Sequence, residues 1–186
     1  AITSQAMNDE VAYAESLRER AALLEGLPVA EVRAVYEGVD LRPGAGELLT
    51  DLDRAGHTVA ILSGGFEPAI ETALENAGTA VDLVVANDLP AADGALTGDV
   101  TGPLVEGTKD DALADICARR GFALQDVTAV GDGTNDEPML TVAGFAVGFD
   151  PKPAVEPVCD VVVAGIPALR SVLEAFEAAR DLWAGG

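Results

Sequence analysis

The chain has 186 residues, of which 49% are apolar, and its 32 acidic and 11 basic residues give a formal net charge of −21. This length and apolar fraction suffice to bury a core, which excludes an acidic disordered protein, and the charge argues against nucleic acid as a partner because a polyanion would be repelled. No apolar run reaches the roughly 18 residues of a membrane span, and the first ten residues lack the basic and apolar regions of a secretory signal. We therefore expect a cytoplasmic protein with no membrane partner, in which Cys117 and Cys159 are reduced thiols.

The charge also indicates an environment. Only Lys109 and Lys152 are lysines, and the acidic residues are spread along the whole chain. Self-repulsion of this size destabilises a compact state, and molar salt screens it by shortening the Debye length to about 3 Å. We interpret the composition as halophilic, that is, adapted to a salt-rich cytoplasm; an unusually acidic protein from an ordinary cytoplasm is the alternative.

The chain begins with helical patterns only. Apolar residues at helical spacing predict a helix over residues 4–25, a short helix over 28–36 and a third helix near 45–55. Because the first two precede every predicted strand, we expect residues 1–38 to form a small helical cap segment and residues 39–186 an α/β core.

Strand and helix patterns then alternate. Strands are expected at 58–62, 83–86, 127–130, 145–149 and 160–164, helices near 67–77, 109–120 and 167–182 with a short one after 136, and a hairpin turn at Asp93-Gly94. Apolar strands that alternate with helices predict a Rossmann-like parallel sheet covered on both faces.

A hydroxyl followed by two glycines stands at the end of the first predicted strand, as Ser63-Gly64-Gly65. Ligands of open α/β sheets bind at the carboxyl ends of the strands. The Ser63 hydroxyl and unobstructed N–H groups, with the N-terminus of helix 67–77 behind them, would form a cradle for phosphate or another anion. The alternative is a strand-to-helix turn that requires glycine only for its backbone.

A second polar loop, Gly131-Asp132-Gly133-Thr134-Asn135-Asp136, directly follows another apolar strand. Its two carboxylates and its amide suit a hard cation with oxygen ligands, for which Mg²⁺ is the leading candidate. In a chain with 32 acidic residues the alternative is a solvated acidic loop.

Lys109 opens a predicted helix, where the helix dipole disfavours a cation. A bound phosphate would explain it, and so would an ion pair with the neighbouring Asp110 and Asp111. The segment 102–109 is similar to a P-loop, but its lysine and threonine are inverted and no buried strand precedes its glycines, so we reject a P-loop.

These three elements, in this order, resemble motifs of the haloacid dehalogenase-like superfamily and, within it, of the phosphoserine phosphatase family. The matching segments are 63–66, Lys109 and 131–136, while 6–24 resembles that family's cap, 93–100 its hairpin, and 143–144 with 152–153 a later segment. The resemblance covers nearly the whole chain.

The resemblance implies a Mg²⁺-dependent phosphomonoesterase that hydrolyses O-phosphoserine, the last step of serine biosynthesis, through an aspartyl-phosphate. Ser63 and the backbone of Gly64 would hold phosphoryl oxygens, and Asn135 would contact the substrate phosphate. Lys109 would neutralise the charge of the phosphate and the nucleophile.

The resemblance also implies a metal site and a substrate pocket. Asp132 would ligate Mg²⁺, and Asp136 would ligate it through water or orient the ligands. On the cap, Arg20 would pair with the serine carboxylate, and Met7 and Tyr13 would line the pocket. From spacing alone, the arginine would more simply make a surface contact one helical turn away.

The sequence departs from the family at its first motif. No Asp-x-Asp-x-Thr occurs, and Asp51-Leu52-Asp53 lies within a predicted helix. The resemblance thus implies that the nucleophile, its general acid, most metal ligands, an acidic cap residue and the first, central strand of the sheet are missing. Ser63 has no neighbouring base in its motif, and we interpret His57, the sole histidine, as structural.

Two functions remain open. We expect a phosphoserine phosphatase that is inactive as this sequence stands, either because the chain is truncated at its N-terminus or because its first segment is absent from the sequence. The alternative is a non-catalytic phosphate-binding, metal-binding or assembly protein derived from such a phosphatase. Because an open sheet edge invites pairing with another chain, a homodimer is the expected assembly.

Overall fold

The computed structural model of the chain describes residues 13–184, with side chains through residue 179. Helices and strands alternate over most of this length. The helices are α1 (13–22), α2 (Val29–Tyr36), α3 (Ala45–Arg54), α4 (Glu67–Asn76), α5 (Pro103–Glu106), α6 (Lys109–Arg120), α7 (Glu137–Val142) and α8 (Gly165–Ala184), and the strands are β1 (Ala60–Phe66), β2 (Leu83–Asn87), β3 (Ala91–Ala92), β4 (Ala95–Leu96), β5 (Thr128–Gly131), β6 (Phe145–Phe149) and β7 (Val161–Val163).

Five strands pair in parallel, in two sheets. β1 pairs with β2, placing Ala60 opposite Leu83, and β6 lies between β5 and β7, with Thr128 opposite Phe145. Parallel neighbours require crossover connections, and here α4 connects β1 to β2 while α7 connects β5 to β6. The carboxyl ends of the strands in each sheet therefore lie at one edge.

Side chains of β6 alternate between two apolar clusters, because successive strand residues point to opposite faces. Ala146 lies in the cluster that α6 and α7 build with Leu113, Cys117, Met139 and Leu140. Val147 lies in the cluster that α3 and α8 build with Leu48 and Leu169. The predicted α/β fold, a parallel sheet with helices on both faces, is confirmed.

The first described helix, α1, packs on the hairpin β3–β4. Leu17 and Ala21 of α1 share an apolar cluster with residues of the hairpin region, namely Leu89, Leu96, Val100 and Val105. Two backbone hydrogen bonds also join the segment after α1 to the hairpin: Gly26 N donates to Leu96 O at 2.9 Å, and Leu96 N donates to Leu27 O at 2.9 Å. The division into a cap at 1–38 and a core at 39–186 stays a prediction.

The sheet is open between β1 and β5. Within the described residues no ladder joins these strands, although Leu62 of β1 and Ala129 of β5 pack on the same cluster beneath α6. Val130 of β5 is 36% exposed, whereas strands of a covered parallel sheet are normally buried on both faces. The opening lies where an absent central strand is expected from the sequence, and that absence stays a prediction.

Three local details differ from the sequence-based expectations. α1 ends before Leu23, which is 84% exposed and contributes nothing to the core. β1 begins only at Ala60 and continues irregularly beyond Leu62. The single turn α5 is not predicted, because four residues are too few to show a period. It lies inside the segment 102–109 and follows the two-residue hairpin strand β4, and the rejection of a P-loop stays a prediction.

The acidic side chains lie almost entirely in solvent. Asp136 is the one buried acid among the residues whose side chains are described, and the ion pairs Arg42–Asp150 and Arg119–Asp115 are exposed. In the described part of the chain, no helix combines the length and the apolar character needed to cross a membrane. The net charge is therefore a property of the surface.

We expect the melting temperature to rise with KCl concentration up to about 1 M, because the Debye length then falls to about 3 Å and the repulsion among surface carboxylates is screened. Circular dichroism melts over a KCl series at fixed pH measure this. Sucrose at equal osmolality is the control, since it is excluded from protein surfaces but screens no charge. A melting temperature that does not change with KCl, or that rises equally in sucrose, would contradict the halophilic interpretation of the charge.

Candidate active site

The Ser63-Gly64-Gly65 loop occupies the carboxyl end of β1. Pairing with β2 is regular as far as Leu62 and resumes only at Phe66, so the loop bulges out of the ladder, and α4 begins directly after it. The N–H of Gly65 donates to Ser63 Oγ at 3.1 Å. The Ser63 oxygen acts as an acceptor in this bond, which leaves its hydroxyl hydrogen to be donated to a ligand.

The carbonyl oxygen of Gly64 accepts two hydrogen bonds. Tyr13 Oη donates from α1 at 3.0 Å, and Asn87 Nδ2 donates from the end of β2 at 3.1 Å. A Cβ at residue 64 would overlap the Tyr13 hydroxyl, so this close approach requires glycine. The sequence analysis missed Asn87; the one available signal is an amide that ends an apolar strand at the ligand-binding edge of the sheet.

The predicted cap residues have different outcomes. Burial raises the pKa of the Tyr13 phenol, and the positive charge of Arg20 opposes that rise, so the hydroxyl remains a donor at neutral pH. The Arg20 side chain is exposed and its Nε donates to the carbonyl of Ser16 at 3.1 Å, which is the expected contact one helical turn away. Its role toward substrate stays a prediction, and Met7 lies outside the described residues.

Asp136 organises the second loop. β5 ends at Gly131, and Asp136 Oδ2 then accepts from the N–H groups of Asp132 at 2.9 Å and Gly133 at 3.0 Å. A Cβ at residue 131 would overlap Asp136, so the strand has to end in glycine. Asp136 is 3% exposed, and a solvated acidic loop is therefore the wrong description of this residue.

Lys109 and Asp136 form a buried ion pair between α6 and the second loop. Lys109 Nζ donates to Asp136 Oδ1, and Lys109 is 9% exposed. The alternative in which Lys109 pairs with the neighbouring acids is wrong, since Asp110 instead accepts from the Thr108 hydroxyl. An ammonium group has three donors, so the pair leaves two of them for an anion.

The donor set of the second loop fits one side of a Mg²⁺ site. Asp132 and Asn135 are exposed, and the structure gives neither side chain a hydrogen bond or ion pair with the described residues. Mg²⁺ takes oxygen ligands and keeps several waters. Both oxygens of Asp136 are engaged, so this carboxylate orients the loop. Among the described residues no group of three acidic, cysteine or histidine side chains surrounds a metal position, so Asp132 would share the ion with ligands from elsewhere.

A cavity of about 360 Å³ lies at the carboxyl end of β5. Its charged lining is Lys109, Asp132, Asp136 and Arg42, and its apolar lining is Val130, Phe149, Ile166 and Leu169. A larger cavity of about 690 Å³ lies at loop 40–44, α3 and the end of α4, and none of the predicted site residues lines it. The smaller cavity is therefore the one that bears on the chemistry.

His57 stands apart from both loops. Its Nε2 pairs with Glu177 of α8, and its backbone N–H donates to Leu52 O at 3.1 Å. Both contacts join the turn before β1 to a neighbouring helix, which agrees with the structural role expected of it.

Comparison with known proteins gives a consistent family. A model described as haloacid dehalogenase-like hydrolase matches residues 2–141, which include both loops and Lys109. The phosphoserine phosphatase of Halobacterium salinarum is 55% identical over 174 residues, covering 94% of this chain and 82% of that protein. A phosphoserine phosphatase of Mycobacterium tuberculosis is 40% identical over 93% of this chain, which spans only 42% of that protein.

A solved structure shows the same similarity. A phospho-aspartyl intermediate analogue of phosphoserine phosphatase superposes on this chain with a TM-score of 0.78 at 36% identity. The superposition covers 94% of this chain and 82% of that chain. The matched fold therefore extends over nearly the whole chain.

We expect Asp136→Asn to lower the free energy of unfolding by about 3 kcal/mol, because it leaves the buried ammonium of Lys109 without a counter-charge. Urea denaturation in concentrated KCl measures the change. Asp115→Asn removes the same charge from an exposed pair with Arg119, and its expected cost is below about 1 kcal/mol. An equal loss of unfolding free energy in the two variants would show that the buried pair contributes no more to stability than the exposed pair does.

Proposed function

The chain belongs to the haloacid dehalogenase-like hydrolases, and we propose that it supplies most of the active site of a phosphoserine phosphatase. The reaction is the hydrolysis of O-phosphoserine to serine and inorganic phosphate, at the last step of serine biosynthesis in the cytoplasm. One observation carries the proposal: a buried Lys109–Asp136 pair lies beside the exposed carboxylate of Asp132 in one cavity at the end of β5. The names of the relatives support the choice of substrate.

Two groups would hold the phosphate. The Ser63 hydroxyl and the backbone of Gly64 lie at the end of β1, where α4 begins, and helix N-termini favour anions. The Lys109 ammonium would neutralise charge on the phosphoryl oxygens while Asp136 holds it in position. Asn135, at the exposed end of the second loop, would contact the same phosphate.

Asp132 would hold Mg²⁺, and Asp136 would orient the loop that carries Asp132. When bound, the ion stabilises negative charge that develops on the phosphoryl group. Asp136 accepts hydrogen bonds from two backbone N–H groups of the loop and so keeps the loop in one conformation. This fixes the position of the Asp132 carboxylate, which would bind the ion. This arrangement supports a direct role for Asp132 and an indirect one for Asp136.

The phosphoryl acceptor would be an aspartate on a strand that enters between β1 and β5. The 186 residues contain no Asp-x-Asp-x-Thr, and the facing edges of β1 and β5 form no ladder with each other in the described chain. A parallel strand there would cover Val130 and end beside Lys109 and Asp132. Its carboxylate would attack phosphorus, the serine oxygen would leave with a proton from a second acid, and water would then cleave the aspartyl-phosphate.

The cap would recognise the serine part of the substrate. Tyr13 donates to the Gly64 carbonyl from α1, and Arg20 lies on the same helix. The planar guanidinium of Arg20 has the donor geometry that suits the substrate carboxylate. Met7, which precedes Tyr13 in the sequence, would complete the pocket.

A second candidate is a non-catalytic phosphate-binding or assembly protein. The open edges of β1 and β5 favour it, because unpaired strand edges pair readily with another chain, including a second copy. It differs from the first candidate in having no turnover under any condition.

The 186-residue chain is expected to release no phosphate from O-phosphoserine with Mg²⁺ in molar KCl, because it lacks the acceptor. The same chain extended at its N-terminus by a strand ending in Asp-x-Asp-x-Thr is expected to turn over. A phosphate-release assay on proteins of verified mass measures both. The control carries Asn-x-Asn-x-Thr in the added strand and is expected to be inactive. Turnover by the unextended chain, or none by the extended one, would reject the assigned mechanism.

Asp132→Asn is expected to weaken Mg²⁺ binding by about tenfold or more, because the loop then offers no free carboxylate. Calorimetric titration of Mg²⁺ into the 186-residue chain in molar KCl reports this without turnover. Asp53→Asn removes the same charge from an exposed position on α3 and controls for the change in net charge. Equal Mg²⁺ affinity in the two variants would remove Asp132 from the metal site.

A further inference from the structure

The Gly64 carbonyl is anchored from two separate parts of the molecule. Asn87 reaches it from the core strand β2, and Tyr13 reaches it from the cap helix α1. Neither donor is near it in sequence, since they lie 23 and 51 residues away. A carbonyl oxygen has two lone pairs, and here both accept from side chains of different elements, so the orientation of this peptide is fixed from two sides.

The Asn87 side chain is fully buried and tightly packed beside the Gly64 carbonyl. Its exposed fraction is 0%, and its Oδ1 has no hydrogen-bond partner within the described structure. Gly102, at a φ of +138°, packs so closely that a Cβ would overlap Asn87. An unpaired buried acceptor is destabilising, and an apolar side chain of similar size would avoid it. The side-chain hydrogen bond that the structure gives this buried amide is the one to Gly64 O.

The direction of the Gly64 carbonyl fixes the direction of a donor in the phosphate loop. The peptide unit is planar and trans, so the C=O of Gly64 and the N–H of Gly65 point in opposite directions. Anchoring the oxygen toward Asn87 and Tyr13 aims the Gly65 N–H into the loop, where Ser63 Oγ accepts it at 3.1 Å. Glycine on both sides of this peptide would otherwise let it rotate freely.

We infer that Asn87 is a positioning residue of the phosphate loop, and that the Tyr13 hydroxyl is the second half of the same clamp, supplied by the cap. The inference rests on the proposed function, in which this loop binds the substrate phosphate. Because one of the two donors comes from α1 and the other from β2, the clamp makes the conformation of the loop depend on its contacts with both elements.

The test uses inorganic phosphate as the probe and the 186-residue chain in molar KCl. The variants are Tyr13→Phe, which removes only a hydroxyl, and Asn87→Ala, which removes the amide donor without adding a charge. Tyr36→Phe is the matched control for the first, because Tyr36 is the other tyrosine and lies on α2. Asn76→Ala is the control for the second, because its amide donates to Glu37 O and Val39 O, outside the site.

Both test variants are expected to bind phosphate about fivefold more weakly by calorimetry, the loss of one ordinary hydrogen bond, with thermal melts close to those of the controls. The Gly65 amide should also exchange with solvent faster in both, as read by NMR without any ligand. A merely structural role for Asn87 would lower stability and leave phosphate affinity of the folded protein unchanged.

Each remaining outcome is informative. If the unaltered chain binds phosphate and Tyr13→Phe and Asn87→Ala bind it equally well, the clamp is refuted while the proposed function stands. If Asn87→Ala does not fold, Tyr13→Phe decides on the same two measurements. If the unaltered chain does not bind phosphate, the proposed phosphate site fails, and the clamp is judged by Gly65 amide exchange alone: faster exchange in the variants supports it, and unchanged exchange overturns it.

Discussion

The buried ion pair between Lys109 and Asp136 is the contact on which the candidate site depends. It connects the first residue of α6 to the loop after β5. The Asp136 carboxylate also accepts hydrogen bonds from the backbone N–H groups of Asp132 and Gly133. A buried charge is tolerated only when its partners are complete, so lysine, carboxylate and loop backbone hold one another in place. This network fixes the backbone of Asp132 and thereby the position of its exposed carboxylate.

The second support of the candidate site is the Gly64 carbonyl, at which α1, the Ser63-Gly64-Gly65 loop and strand β2 meet. Tyr13 and Asn87 both donate to it, and glycine is required because any side chain would occupy the place of the Tyr13 hydroxyl. α1 also packs on the hairpin, in a cluster that Phe66 joins directly after the loop. The loop therefore lies between one anchor on β2 and another on α1.

Salt affects the surface charge and the candidate site to different extents. The surface carries nearly all of the −21 charge, in solvent, where salt can screen it. The Lys109–Asp136 pair is buried and is screened far less. An excess of surface carboxylates is thus compatible with an anion-binding site, because the one buried lysine sets the local charge at short range.

The sequence by itself determined the order of helices and strands, the two polar loops at strand ends and the prominence of Lys109, since periodicity and loop chemistry are properties of neighbouring residues. It left the partner of Lys109 open and missed Asn87. Those contacts join residues 27 and 23 positions apart, and no local pattern encodes which side chains meet across a sheet. Only the tertiary structure decided that Asp136 accepts from lysine and backbone together, and that Tyr13 and Asn87 converge on one carbonyl, because parallel strands bring distant segments to one edge.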